Sequence, residues 1–255
     1  MPWTFAHPAA ILPLRPLCPR WLSFPGLILG AMAPDLSYYV GMHGQWSAFC
    51  HTPEGIALVC LPASLLLLAL LLRFSRPLTV LLPEPHRALV RGQLQQPARA
   101  RWMNLLVAVV SVLIGATSHV LWDSFTHQGR WGAELLPELD APLVAAMDRQ
   151  FHVTQLLQHL STAVGVVALA IVYGRAWRAQ RPATPRRPDA RPALLLAGLA
   201  AALVVGAASA FALTPAKLPA YHSHLLVRTV VWSTSCFAAL FVVGSVAWWR
   251  RRGDA

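Results

Sequence analysis

Charge is scarce in this sequence. Of 255 residues only 12% are charged and just 10 are acidic, against 56% hydrophobic, and the mean hydropathy is +0.51. A soluble domain of this length needs a more polar surface, so that class is excluded. Patterned cysteines are missing as well. Cys18, Cys50, Cys60 and Cys236 show neither metal nor redox spacing, and no disulfide is assigned. No internal repeat is detectable. The basic loops lack interleaved aromatics and any recognisable nucleic-acid-binding pattern, so the net charge of +11 does not imply a nucleic-acid partner.

What is present is long apolar sequence. A hydrocarbon core about 30 Å thick needs about 20 apolar residues of helix, and five stretches qualify: 55–73, 102–122, 157–174, 192–213 and 225–249. Trp102 and Trp122 bracket the second at a spacing of roughly 30 Å, that of the two aromatic belts. A sixth run, Trp21 to Ala33, is too short to cross as helix and is stopped by Pro34. It is expected to be a re-entrant or interface-lying helix. Ala31-Met32-Ala33 imitates a signal-peptidase site, but Pro34 directly after it argues against cleavage, so the N-terminus is expected to be retained. The expected fold class is all-α, a polytopic transmembrane helical bundle of about five spans plus this short N-terminal helix.

The basic residues orient the bundle. Fifteen of the 21 Lys and Arg fall on one face: Arg73, Arg76, Arg87, Arg91, Arg99 and Arg101 between the first two spans, Arg175, Arg178, Arg181, Arg186, Arg187 and Arg191 between the third and fourth, and Arg250, Arg251 and Arg252 in the tail. The positive-inside rule assigns that face, and with it the C-terminus, to the cytoplasm. Arg130, Arg149, Lys217 and Arg228 fall opposite, and Arg15 and Arg20 join them if the short run does not cross. Residues 1–255 read as one integral membrane domain. A three-span half (1–177) is joined to a two-span half (193–255) by a cytoplasmic Arg/Pro-rich linker (178–192). In the second half Gly198 and Gly206 share a face suited to close helix packing. The outer loop 123–156, with Glu134, Glu138, Asp140 and Asp148, is expected to fold partly as an interfacial helix over a site.

Four strong candidate metal ligands, His51, His119, Asp123 and His159, sit at span ends on the same non-cytoplasmic side. His119 and Asp123 are four apart and stack on one helical face, a spacing at which an imidazole and a carboxylate can share one divalent ion. The plain alternative is that they hydrogen-bond each other at the membrane edge. If the helix continues, His127 lies about 80° round from His119. Thr52 as N-cap, Pro53 at N1 and Glu54 in the first turn make an ordinary helix start, which leaves His51 unexplained. Glu54 is a candidate general base. His7 and Asp35 frame the short run, and a re-entrant path returns both to the outer face. His159, like His51, also has a passive reading as an interface residue. His222 and His224 read as loop polarity, and His43 and His86 receive no role.

Met1-Pro2-Trp3-Thr4-Phe5-Ala6-His7-Pro8, Met32-Ala33-Pro34-Asp35, Cys50-His51-Thr52 and Ser118-His119 through Trp122-Asp123-Ser124-Phe125-Thr126-His127 together resemble a bacterial membrane family known as domain of unknown function 4184. More distantly, the order His, Pro-Asp, His, then a His/Asp pair is similar to that of membrane-bound metal-dependent hydrolases. That likeness implies that His7, Asp35, His51, His119 and Asp123 are metal ligands or their partners. The hydrolase pattern has a second acid two residues after the Pro-Asp, where this chain has Ser37, which speaks against a two-metal centre.

The expectation is a protein of the bacterial inner membrane holding one divalent metal at the non-cytoplasmic interface, zinc before manganese or iron. Its inner ligands are His51, His119 and Asp123. His7, His127 and His159 are further ligands or orienting groups, and Asp35 and Glu54 are the catalytic carboxylates. Membrane lipids are the expected partners, and a lipid-borne ester or phosphoester the substrate. The alternative is a non-catalytic scaffold, or less readily a transporter, with a structural His/Asp cluster. No oligomeric state follows from the sequence.

Overall fold

Five apolar stretches with almost no charge inside them leave the backbone one way to satisfy its polar groups in lipid, and that is helix. A computed structural model, describing residues 3–95, 97, 100–146, 149–180, 189–215 and 221–252, has this all-α architecture. Among the described residues five helices are long and apolar enough to cross a bilayer: Pro53–Arg73, Arg101–Thr126, Val153–Ala179, Arg191–Leu213 and His224–Arg252. They are the first to fifth spans below. Most outrun their apolar cores, because helix continues into flanking polar residues that water can satisfy. The second span's extension to Thr126 carries Asp123 on the same helix as His119.

By its contacts the chain divides into two compact units. One comprises Met1–Ser37, His43–Ala69 and Gln96–Ala176; the other comprises Tyr38–Met42, Leu70–Gln95 and Trp177–Ala255. The division therefore does not follow chain order, since 38–42 and 70–95 join the last two spans. Residues 181–188, the body of the Arg/Pro-rich linker with Arg181, Arg186 and Arg187, lie outside the described residues, as do Arg99, Asp148 and Lys217.

The first unit is built around the second span. Ser23 accepts a hydrogen bond from the Gly26 N–H (3.2 Å), and with Pro25 in the first turn it starts a nine-residue helix, Phe24–Met32. At its start the Ser23 N–H donates to Ser111 Oγ (2.8 Å); near its end the Ala31 carbonyl meets His119 Nδ1 (2.7 Å). Ser111 and His119 are roughly 12 Å apart along the second span. His7, which precedes the short helix, and Asp35, which follows it, both lie at the His119 end. The run therefore enters and returns on one side of the second span, and of the two expected arrangements it takes the re-entrant one.

Glycine permits this approach. A Cβ on Gly30 would collide with the Val112 carbonyl, and one on Gly115 with the Leu27 carbonyl. The two helices thus touch backbone to backbone, which is how helices associate where lipid removes the hydrophobic drive. Ile11, Leu22, Leu27 and Ala31 form the buried cluster beside this contact.

The outer loop departs from expectation. After Thr126 come a short helix (Trp131–Leu135), a 3-10 turn (Pro137–Asp140) and an antiparallel hairpin pairing Pro142–Ala146 with Arg149–His152. The helix was foreseen and the hairpin was not; the pairing of such short strands leaves no helical periodicity to read. His152 Nδ1 is 2.6 Å from the Asp140 carbonyl and so ties the hairpin to the turn.

In the second unit the fourth and fifth spans pack closely. Gly206 admits Ser233 against its backbone, whereas Gly198 has only an ordinary contact with Phe237, so one of the two expected glycines makes the close approach. Arg91 donates to Thr79 Oγ1 (2.8 Å) and the Arg76 carbonyl (3.2 Å), joining the two short helices Ser75–Thr79 and His86–Gln93.

Candidate metal centre

Four chain segments deliver five side chains to one buried region, two of them from the second span. The 3-10 turn Ala33–Asp35, nucleated by Pro34, ends on Asp35. His51 caps the helix Gln45–Cys50 at the point where Thr52 and Pro53 start the next one, and Thr52 Oγ1 accepts from the Gly55 N–H (3.0 Å) as the sequence foretells. A Cβ on Gly55 would strike the Phe49 carbonyl, so glycine there lets the chain fold back tightly enough to turn His51 inward. The second span contributes His119 and Asp123 from one face. His7 arrives on the 3-10 turn Thr4–Ala9.

His51 Nε2 lies 3.6 Å from Asp35 Oδ1 and 3.7 Å from Asp123 Oδ2; His119 Nε2 lies 3.7 Å and 3.6 Å from the same two atoms. These separations are too long for hydrogen bonds. They match the edges of a coordination polyhedron, since donors about 2.0–2.2 Å from a common tetrahedral centre stand about 3.3–3.6 Å apart. One ligand atom from each of Asp35, His51, His119 and Asp123 lies within 4.8 Å of all the others, and all four residues are buried. This group can hold a metal ion.

The imidazoles are set for it. His51 Nδ1 is 2.8 Å from the Ser47 carbonyl and His119 Nδ1 is 2.7 Å from the Ala31 carbonyl. A carbonyl only accepts, so each Nδ1 carries the proton and each Nε2 presents a lone pair to the centre, the arrangement usual for metal-ligating histidine. Asp35 Oδ2 accepts from Thr4 Oγ1 (2.7 Å), which leaves Oδ1 to face the others. Asp35 Oδ1, His119 Nε2, His7 Nε2 and Asp123 Oδ1 are buried without a hydrogen-bond partner among the described residues. Orphaned buried polar atoms cost about 1–3 kcal/mol each, and a cation held by the group would satisfy two of these, Asp35 Oδ1 and His119 Nε2.

His7 stacks on His119 with ring centroids 3.7 Å apart and a 20° interplanar angle, and its Nε2 is 3.6 Å from Asp123 Oδ1. Burial first, then the neighbouring His119, holds the His7 ring down to about 3, so it is neutral at physiological pH. Burial pushes the Asp35 carboxyl above the usual carboxylate range, against the opposing pull of His119. His127 stands just past the end of the second span, its Nδ1 3.1 Å from the Asp123 carbonyl and 3.6 Å from Asp123 Oδ1.

Of the expected site residues, His7 and His127 border the group without belonging to it, and two more, His159 and Glu54, do not join it either. His159 is exposed at the start of the third span; the helix turns the adjacent Gln158 inward instead, and Gln158 accepts at its carbonyl from Ser161 and Thr162. Glu54 is exposed in the first turn of its helix, where a carboxylate favours the helix dipole. Ser37, where the hydrolase pattern has its second acid, is buried, and its hydroxyl has no hydrogen-bond partner among the described residues. Thr4 and the carbonyls of Ser47 and Ala31 were not foreseen. Thr4 had a signal, since three residues before His7 in a 3-10 turn places both on one side; a backbone carbonyl from a distant helix has none.

No curated protein and no solved structure matches the chain. A family model does match, over residues 1–246: the chain belongs to the family described as domain of unknown function DUF4184.

Proposed function

We propose that this protein is a membrane-embedded, metal-dependent hydrolase acting on a lipid-borne ester or phosphoester. The observation carrying this reading is the convergence of Asp35 Oδ1, His51 Nε2, His119 Nε2 and Asp123 Oδ2, with both imidazole tautomers set by backbone carbonyls. Two imidazoles and two carboxylates at near-tetrahedral spacing suit zinc, and manganese or iron accept the same donors. Held there, the ion supplies Lewis acidity toward an ester or phosphoryl oxygen and acidifies water.

The chain's own residues do the rest. Thr4 orients the Asp35 carboxylate through Oδ2, so that Oδ1 faces the ligand group and, when it is not bound to the ion, can take the proton from attacking water. Asp35 thus combines the catalytic role read from the sequence with a place in the ligand group, and exposed Glu54 is left as a helix-start residue. His7 and His127 flank Asp123 Oδ1, each 3.6 Å away, and exclude water from that side of the carboxylate. Read by the positive-inside rule, the basic residues support a cytoplasmic C-terminus and a centre at the outer interface of a bacterial inner membrane, where an ester bond at head-group level can reach it sideways.

A second reading is a non-catalytic scaffold. It is favoured by the count of four protein ligands, which is the number found in closed structural sites. Turnover separates the two. Purified protein in lipid nanodiscs, given phospholipids and other lipid esters, is expected to release product, to stop on chelation and to resume with zinc. Asp35→Asn, which replaces a carboxylate of the ligand group, is expected to lose metal and turnover together. Metal retained without hydrolysis of any such lipid favours the scaffold.

A further inference from the structure

A cavity of about 570 Å³ lies against the metal centre, within the range of small-ligand sites. Its walls come from Ala6, Ala9 and Ala10 of the N-terminal turns, Trp122 and Phe125 at the end of the second span, and the third span from Leu157 to Ala168. His7 lines it too, and the same imidazole stands 3.6 Å from Asp123. One residue therefore separates the cavity from the ligand group.

The remaining lining has almost no polar capacity to spare. Thr126 Oγ1 is directed at the Trp122 carbonyl (3.3 Å) and Ser161 Oγ at the Gln158 carbonyl (3.1 Å). Leu160 and Val164, at 52% and 68% exposure, line the cavity from a helix long and apolar enough to cross a membrane, so its open side faces outward from that helix. Gly165 lets Ala6 and Ala9 close the floor, since a Cβ there would stand 3.1 Å from the Ala6 carbonyl and 3.3 Å from both alanine methyls.

We propose that this cavity seats an acyl chain of a membrane lipid, entering between Leu160 and Val164 and placing the lipid's ester or phosphoester beside His7. An acyl chain fits each feature: an apolar bore, a mouth opening to lipid, and a single polar end that abuts the donor cluster. Trp122, half exposed at the same end, sits where an indole anchors at the head-group level. The inference rests on the hydrolase reading for what happens to the lipid, but not for where the chain lies.

The test is photolabelling in nanodiscs with a phosphatidylcholine bearing a diazirine in one acyl chain, adducts being mapped by mass spectrometry and metal measured in the same samples. Adducts are expected to concentrate in 6–10 and 157–168. Val164→Trp at the mouth and Ala168→Phe in the bore are each expected to cut them about tenfold, equivalent to about 1.4 kcal/mol, with metal content unchanged. Adducts spread evenly along the spans, or undiminished in both variants, overturn the acyl site even if metal is present. Concentrated adducts in a wild type that holds no metal keep the acyl site and remove the hydrolase reading.

Discussion

At the residue scale the centre depends on groups that aim ligands as much as on the ligands. Thr4 Oγ1 is the described donor to Asp35 Oδ2. Thr4→Val keeps the shape and removes that hydrogen bond, so metal affinity measured by competition with a chromophoric chelator is expected to fall about 10–100-fold. His159→Ala and Glu54→Gln are expected to leave that affinity at the wild-type value, because both side chains are exposed and outside the group. Of the six metal candidates and two catalytic carboxylates named from sequence, the i, i+4 pair His119 and Asp123 was the most legible, because helical periodicity alone puts both on one face. His159 misled because sequence gives its place at a span end but not its rotation about the helix axis, and one position of phase moves a side chain by about 100°.

The elements were legible where hydropathy decides them and obscure where tertiary contact does. All five spans read directly from their apolar runs, and the start at Thr52-Pro53 from capping chemistry. The re-entrant path of Trp21 to Ala33 could be narrowed only to two options, because its choice rests on Gly30 and Gly115 meeting carbonyls on opposing helices. That contact makes a prediction. Gly30→Leu must separate the short helix from the second span, at a cost of about 1–3 kcal/mol or more. Since the Ala31 carbonyl would move away from His119, thermal stability and metal affinity should fall together; a Gly30→Leu protein with wild-type metal binding contradicts this packing account.

For the molecule as a whole, an ion held by this group would couple its binding to the folding of the first unit, because Asp35, His51 and His119 reach the centre from segments far apart in sequence. An ion held at about 1,000 times its dissociation constant adds about 4 kcal/mol to the native state. Chelation is therefore expected to lower the unfolding midpoint by roughly 10 °C, read by scanning calorimetry, with recovery on adding zinc. The central claim is that these four side chains bind one ion. Elemental mass spectrometry of the purified, dialysed protein tests it most directly. The account predicts about one divalent ion per chain in the wild type and little in His119→Ala or Asp123→Ala; a folded wild type without bound metal, or variants retaining the full complement, would contradict it.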